Sequence, residues 1–255
     1  MLNKEIITES DFRYIESGDG LPVVILHGLM GGLSNFAGVL DYFPKRGFKI
    51  LVPELPVYEL PLVNTTVKAL ANFLDKFLKF KELKEVILLG NSLGGHIALL
   101  FSKFHPEKVK GLIITGSSGL YENAMGDGYP KRGNYEYIKT KSEEVFYDPK
   151  IATKEIVDEV FETVNDRNKL IKTLAIAKSA IRHNMSKDLP KMEIPTAIIW
   201  GAQDSVTPPN VAEEFHLLLP NSSLYWIDKC GHAPMMEHPK EFNRIMHSWM
   251  EKIQL

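Results

Sequence analysis

At 255 residues the chain has the length of one α/β domain carrying an insertion, long enough to bury a core without disulfide or metal staples. Its 30 basic and 32 acidic side chains leave a net charge of −2, which supplies no basic stripe for nucleic acid or an anionic membrane. The lone Cys230 excludes an internal disulfide, and with no leader-like N-terminus and no apolar run of about 20 residues the expected location is the cytoplasm.

The first apolar run, Val23-Val24-Ile25-Leu26, lacks polar alternation, as strands buried on both faces do. It leads into His27-Gly28-Leu29-Met30-Gly31-Gly32. Here Gly28, Gly31 and Gly32 permit close approach to a ligand, and His27 is expected to brace the loop. A second strand follows at Ile50-Leu51-Val52. The 65–80 stretch then places Val67, Leu70, Ala71, Leu74, Phe77 and Leu78 on one helical face, with Asn64 or Thr65 as its cap. Val86 to Leu89 is a third strand, ending in Gly90-Asn91-Ser92-Leu93-Gly94 and a helix over Ile97 to Phe104. A fourth strand lies at Leu112-Ile113-Ile114.

The alternation stops from about 119 to 187. Gly119 to Asn134 reads as loop. One helix then carries Ile156, Val157, Val160, Phe161 and Val164 on a face, and another carries Leu170, Ile171, Leu174, Ala177 and Ile181. Strands resume at Ala197 to Trp200 and Leu224 to Ile227, and a helix over 238–253 uses Phe242, Ile245, Met246 and Trp249. Strands alternating with helices imply right-handed crossovers and a mostly parallel sheet. The expected organisation is a core of 1–118 and 188–255 with a helical cap at 119–187.

Gly-x-Ser-x-Gly between a buried strand and a helix is the principal chemical signal. A serine presented at a sharp strand-to-helix turn needs small residues two positions either side, supplied by Gly90 and Gly94. A hydroxyl becomes a useful nucleophile only when a base takes its proton. His232 directly follows the last apolar strand, and Asp204 follows the strand before it. Both therefore sit where loops at the carboxyl ends of strands converge. The order Ser92, Asp204, His232, each just past its own strand, goes with a nucleophile on a strand-to-helix turn of this kind and differs from the orders of the chymotrypsin and subtilisin folds. Backbone N–H groups of Leu29 and Leu93 are the expected oxyanion donors. His96, His105, His183, His216, His238 and His247 lie in helical contexts and read as packed or solvated. Phosphate-loop and zinc-binding patterns are absent, and no metal or organic cofactor is expected.

Together these motifs resemble the α/β-hydrolase superfamily over nearly the whole chain. The resemblance implies a mostly parallel sheet of about eight strands flanked by helices, with 119–187 as the cap. Within the superfamily, Gly-Asn-Ser-Leu-Gly-Gly at 90–95, Leu33-Ser34-Asn35-Phe36 and Lys229-Cys230-Gly231-His232 are similar to the hydrolases of carbon–carbon bonds in meta-ring-cleavage products. That similarity implies Asn35 and Asn91 as polar site residues. It departs where those enzymes carry a cap arginine for the substrate carboxylate, because Val160 stands there by spacing. Ala233 likewise replaces their tryptophan, and the loop over 28–33 lacks their proline.

The expected activity is hydrolysis of a carboxylic ester with a small or medium apolar acyl group, through an acyl-enzyme on Ser92. Val157, Val160, Phe161 and Leu174 are the apolar cap residues expected to reach the substrate. The alternatives are carbon–carbon hydrolysis of a diketone-like substrate, or ligand binding on a hydrolase scaffold. The expected partner is a small apolar ester or ketone, with neither nucleic acid nor membrane, and a homodimer is compatible with the chain.

Overall fold

The computed structural model describes residues 4–121 and 131–255, so part of the Gly119–Asn134 loop reading lies outside the described residues. Eight strands form one sheet. They are β1 (Ile7–Glu9), β2 (Phe12–Ser17), β3 (Leu21–Leu26), β4 (Phe48–Pro53), β5 (Val86–Asn91), β6 (Val109–Thr115), β7 (Thr196–Gly201) and β8 (Ser222–Ile227). Their spatial order is β1-β2-β4-β3-β5-β6-β7-β8. The first two pair antiparallel with each other, β2 pairs antiparallel with β4, and every pairing from β4 through β8 is parallel.

All six apolar runs are strands. Alternate residues of each run feed two separate cores, one on either side of the sheet. Val24, Leu26, Leu88, Leu112, Ile114, Ile198 and Trp200 face one core. Val23, Ile25, Ile87, Leu89, Ile113, Ala197 and Ile199 face the other. Helices α1 (Ala37–Tyr42), α2 (Val67–Phe80) and α3 (Leu93–Phe104) follow β3, β4 and β5. Helix α2 buries the six predicted apolar residues, but its cap is Thr66, whose hydroxyl accepts from the Ala69 N–H at 3.1 Å. This corrects the expectation of Asn64 or Thr65. The chain stays in a short 3-10 turn through Asn64, so extended backbone suited to a cap begins later.

Between β6 and β7 the described residues hold α4 (Tyr135–Glu143), α5 (Lys154–Asn165) and α6 (Arg167–Arg182), with no strand. Helix α6 turns a different face inward from the one its apolar pattern suggests. Thr173, Ile176 and Ala180 are buried, while Ile171 and Ile181 are exposed. Its second half joins the core beside α2, where Ser179 Oγ accepts from the Val67 N–H at 3.1 Å. After β7 come α7 (Pro209–Leu218), α8 (Pro234–Glu237) and α9 (Pro239–Lys252). Phe242, Ile245, Met246 and Trp249 of α9 seal the second core. None of the helices among the described residues is long and apolar enough to cross a membrane.

Candidate active site

Strand β3 lies between β4 and β5, so the chain leaves it toward one side and returns on the other. Loops after such neighbouring strands open a crevice at the carboxyl edge of the sheet. The loop after β3 (His27 to Gly32), Ser92 after β5, Asp204 after β7 and His232 after β8 all meet at this edge.

Ser92 has φ 53° and ψ −119°, a conformation that non-glycine residues adopt only at a cost of about 1–3 kcal/mol. Its surroundings hold it there. The Ser92 N–H donates to the Thr115 carbonyl at 3.1 Å, and its carbonyl accepts from the N–H groups of Gly95 and Ser118 at 3.0 and 3.2 Å. The two glycines are steric necessities. A β-carbon on Gly90 would lie 2.4 Å from the Gly94 carbonyl oxygen, and one on Gly94 would lie 1.9 Å from that of Leu26. The turn is thereby packed between β3 and the first turn of α3.

Asp204 and His232 are both buried. One carboxylate oxygen of Asp204 accepts from the N–H groups of Val206 and Thr207 at 2.9 and 3.0 Å. The other accepts from Thr207 Oγ1 and from His232 Nδ1, both at 2.9 Å. Because a carboxylate only accepts, Nδ1 of His232 carries the proton and Nε2 is the basic nitrogen. Trp200 anchors this corner to the core by donating from Nε1 to the Thr207 carbonyl at 2.9 Å. The His232 backbone is held on three sides. Its N–H donates to the Val145 carbonyl at 2.9 Å, its carbonyl accepts from Asn91 Nδ2 at 3.1 Å, and a β-carbon on Gly116 (φ 50°) would fall 2.7 Å from its Nδ1.

His27 braces its loop from within. Nδ1 donates to the Gly28 carbonyl at 2.9 Å and Nε2 accepts from the Leu55 N–H at 3.0 Å. Burial lowers its pKa, which keeps the ring neutral as that bonding pattern requires. The N–H of Leu93 opens α3, where no intrahelical acceptor exists. Neither it nor the N–H of Leu29 donates to another described residue. Gly28 packs closely on the nucleophile, since a β-carbon there would lie 3.3 Å from Ser92 Cβ and from Asn91 Oδ1.

Ser92 and His232 line one cavity of about 150 Å³ together with Gly28, Leu29, Asn35 and Asn91. The Asn35 amide lies over Gly31, whose β-carbon position is 2.7 Å from its Nδ2. Asn91 lines the cavity too, and its NH2 donates to the carbonyls of Thr115 and His232. From α5, Ile156, Glu159 and Val160 reach the cavity. Val157, Phe161 and Leu174 are not among its lining residues, which corrects the expectation for all three. Phe161 instead packs edge-on against Tyr135 at 5.3 Å, within the insertion's own small cluster. The cavity takes only one edge of the apolar face of α5, Ile156 and Val160, while Phe161 and Val164 join the insertion's own cluster.

Two residues that sequence reasoning missed organise this corner. Thr207 supplies two of the bonds to Asp204; an Asp followed three positions later by Thr is the signal that could have found it. Glu237 accepts from the Gly231 N–H at 2.6 Å with one oxygen, and from the N–H groups of Tyr147 and Asp148 at 2.8 and 3.1 Å with the other. It ties the His232 loop to the insertion. No sequence pattern announces an acceptor whose donors are three backbone N–H groups and the Cys230 thiol, one of them 90 positions away.

Residues 23–245 match the family model described as "Alpha/beta hydrolase family". A 2-hydroxy-6-oxononadienedioate/2-hydroxy-6-oxononatrienedioate hydrolase of a Pseudomonas species is 25% identical, over 93% of this chain and 90% of its own length. Lipase 3 of a Moraxella species is 26% identical, over 87% of this chain and 75% of its own. Among solved structures, MGS-MChE2, an alpha/beta hydrolase enzyme from the metagenome of lagoon sediments at Mar Chica, Morocco, is 56% identical. It matches with a TM-score of 0.83 over 98% of this chain and 100% of its own.

Proposed function

Since the chain belongs to the alpha/beta hydrolase family and is a hydrolase, we propose that it cleaves carboxylic esters with a small or medium apolar acyl group, using Ser92, Asp204 and His232 as its catalytic triad. The observation that carries this reading is a strained serine and a carboxylate-bound histidine lining the same apolar cavity. Ser92 Oγ attacks the ester carbonyl while His232 Nε2 takes its proton. Asp204 holds the ring in the required tautomer and stabilises the imidazolium that forms. The N–H groups of Leu29 and Leu93 receive the oxyanion. His232 then gives its proton to the departing alcohol, and a water activated by the same nitrogen releases the acid. The insertion acts as a cap, placing Ile156 and Val160 over the acyl group. A cavity of about 150 Å³ is the size that accommodates a benzene-sized group, which favours short acyl chains.

A second reading is carbon–carbon hydrolysis of a diketone-like substrate by the same triad. It is favoured by the curated relative named for 2-hydroxy-6-oxononadienedioate cleavage. Against acidic dienones stands the cavity wall, where the described lining residues include no arginine or lysine and Val160 occupies the position expected for the cation. The test is turnover of p-nitrophenyl esters from acetate to decanoate beside a vinylogous diketone. Hydrolysis of the short esters that falls at least a thousandfold in Ser92→Ala is expected. Cleavage of the diketone alone would replace the first reading with the second, and ester turnover that survives Ser92→Ala would end both.

A further inference from the structure

Apart from His232, Glu159 is the one ionisable carboxylate or base among the described residues lining the catalytic cavity. It projects from α5 at the mouth, where the cavity meets an adjoining cleft that it also lines. Its Oε1 lies 4.0 Å from the position a β-carbon on Gly32 would take, so the carboxylate hangs over the glycine loop that carries Leu29. Among the described residues it has no hydrogen-bonded or ion-paired partner. Lys169 acts on it only at a distance, with its ammonium 5.6 Å from the centre of the Tyr58 ring. The adjoining cleft adds Glu54, Glu59 and Glu162 against Arg13 and Lys169, and Arg13 is already engaged by Glu54 at 3.2 Å.

A carboxylate at the solvent-exposed mouth of an apolar cavity, without a partner of its own, repels anions and rewards a cation brought by the ligand, with a strength that solvent partly screens. We propose that Glu159 is the charge-selecting residue of this site, directing it toward esters that carry a cationic nitrogen and against those that carry a carboxylate. This rests on the ester-hydrolase reading of the same cavity and names its substrate class. The surroundings agree with it. Partial withdrawal from water holds the Glu159 carboxyl above its ordinary pKa, Lys169 pulls it back, and Glu162 and Glu54 push it up again. A substrate ammonium would supply the counter-charge that the protein withholds.

The experiment uses matched phenyl esters whose acyl chains end in a methyl, a trimethylammonium or a carboxylate group. A second set carries the same three groups on the alcohol. With kcat/KM of each charged ester normalised to its neutral partner, the wild-type protein is expected to favour the cation over the anion by about tenfold in at least one set, the scale of one partly screened charge interaction. Glu159→Gln should bring that ratio toward one, Glu159→Lys should invert it, and added salt should shrink it in the wild type. A ratio that Glu159→Gln leaves within about twofold of wild type would overturn the proposal. If the neutral ester is not turned over, it is the ester reading that fails. Charge selection is then read from calorimetric binding of butyltrimethylammonium against pentanoate, where equal binding by wild type and Glu159→Gln overturns it.

Discussion

The loops at the carboxyl edge of the sheet and the helical insertion beside them are held in opposite ways. At the sheet edge nearly every polar group is spent on another. Both Asp204 oxygens are doubly bonded, the Ser92 carbonyl accepts from backbone donors, and Gly90, Gly94 and Gly116 stand where no β-carbon fits. The insertion is pinned at a few separated points. Val145, Tyr147 and Asp148 are bonded to the His232 loop, Ser205 Oγ donates to the Glu144 carbonyl at 2.9 Å, and Ser179 meets α2. Between those ties, α5 touches the cavity with three side chains, of which only Val160 is buried. The contrast separates two jobs. The groups around Ser92 are fixed by many short bonds and by glycines that admit no β-carbon, whereas the α5 wall of the cavity is a few side chains that can change without disturbing the sheet.

Asp204→Asn attacks the rigid half at its most connected point. The amide can keep most of the contacts but can offer its NH2 to His232 Nδ1, favouring the wrong tautomer. A kcat lower by roughly 10³–10⁴ is expected, with little loss of stability. Steady-state kinetics together with thermal unfolding check it. A fall in kcat of less than tenfold would mean that the sheet edge tolerates looser chemistry than its bonding suggests.

Glu237→Gln tests the seam between the halves. One of its oxygens must become an NH2 facing backbone N–H donors, either at Gly231 or at Tyr147 and Asp148. Displacing the His232 loop by a fraction of an ångström should lower kcat by about tenfold to a hundredfold while KM changes little. Were the residue merely structural, the melting temperature would fall and kcat of the folded fraction would stay at the wild-type value.

How much of this was legible beforehand follows the same division. Strands β3 to β7 were readable because parallel strands buried on both faces must be apolar throughout, and the half-exposed edge strand β8 was readable from its run Leu224-Tyr225-Trp226-Ile227. Ser92, Asp204 and His232 were readable because each stands just past such a strand. The short antiparallel β1 and β2 were not singled out, since Arg13 and the exposed ends interrupt their apolar pattern. Helix α4 was missed because only Ile138 and Ser142 of its nine residues are buried. On α5 the cavity takes one edge of the apolar face, Ile156 and Val160, together with Glu159, a polar residue that an apolar pattern does not mark. A cavity wall is a three-dimensional accident of packing, and periodicity reports only on the core.

The smallest effect near neutrality concerns the other seam, where α6 ends. His96 on α3 is fully buried and its Nε2 lies 3.0 Å from Nδ1 of His183, the residue after α6. Its other nitrogen lies 3.5 Å from Ser118 Oγ. Burial, and then repulsion from His183, lower its pKa to about 3. Between the unfolded value of about 6.5 and that depressed value the unfolded chain binds the extra proton. The stability that neutral His96 contributes is therefore complete above the unfolded value and is lost as pH falls toward 3. Urea unfolding of the wild type from pH 7 to 5 should show stability declining with a slope approaching about 1.4 kcal/mol per pH unit from this group. His96→Gln, which cannot titrate, should flatten that slope while leaving ester turnover at pH 8 within a few-fold. If the two proteins lose stability in parallel, the seam between α3 and the insertion is not where acid acts, and the insertion is held more like the sheet edge than the contrast allows.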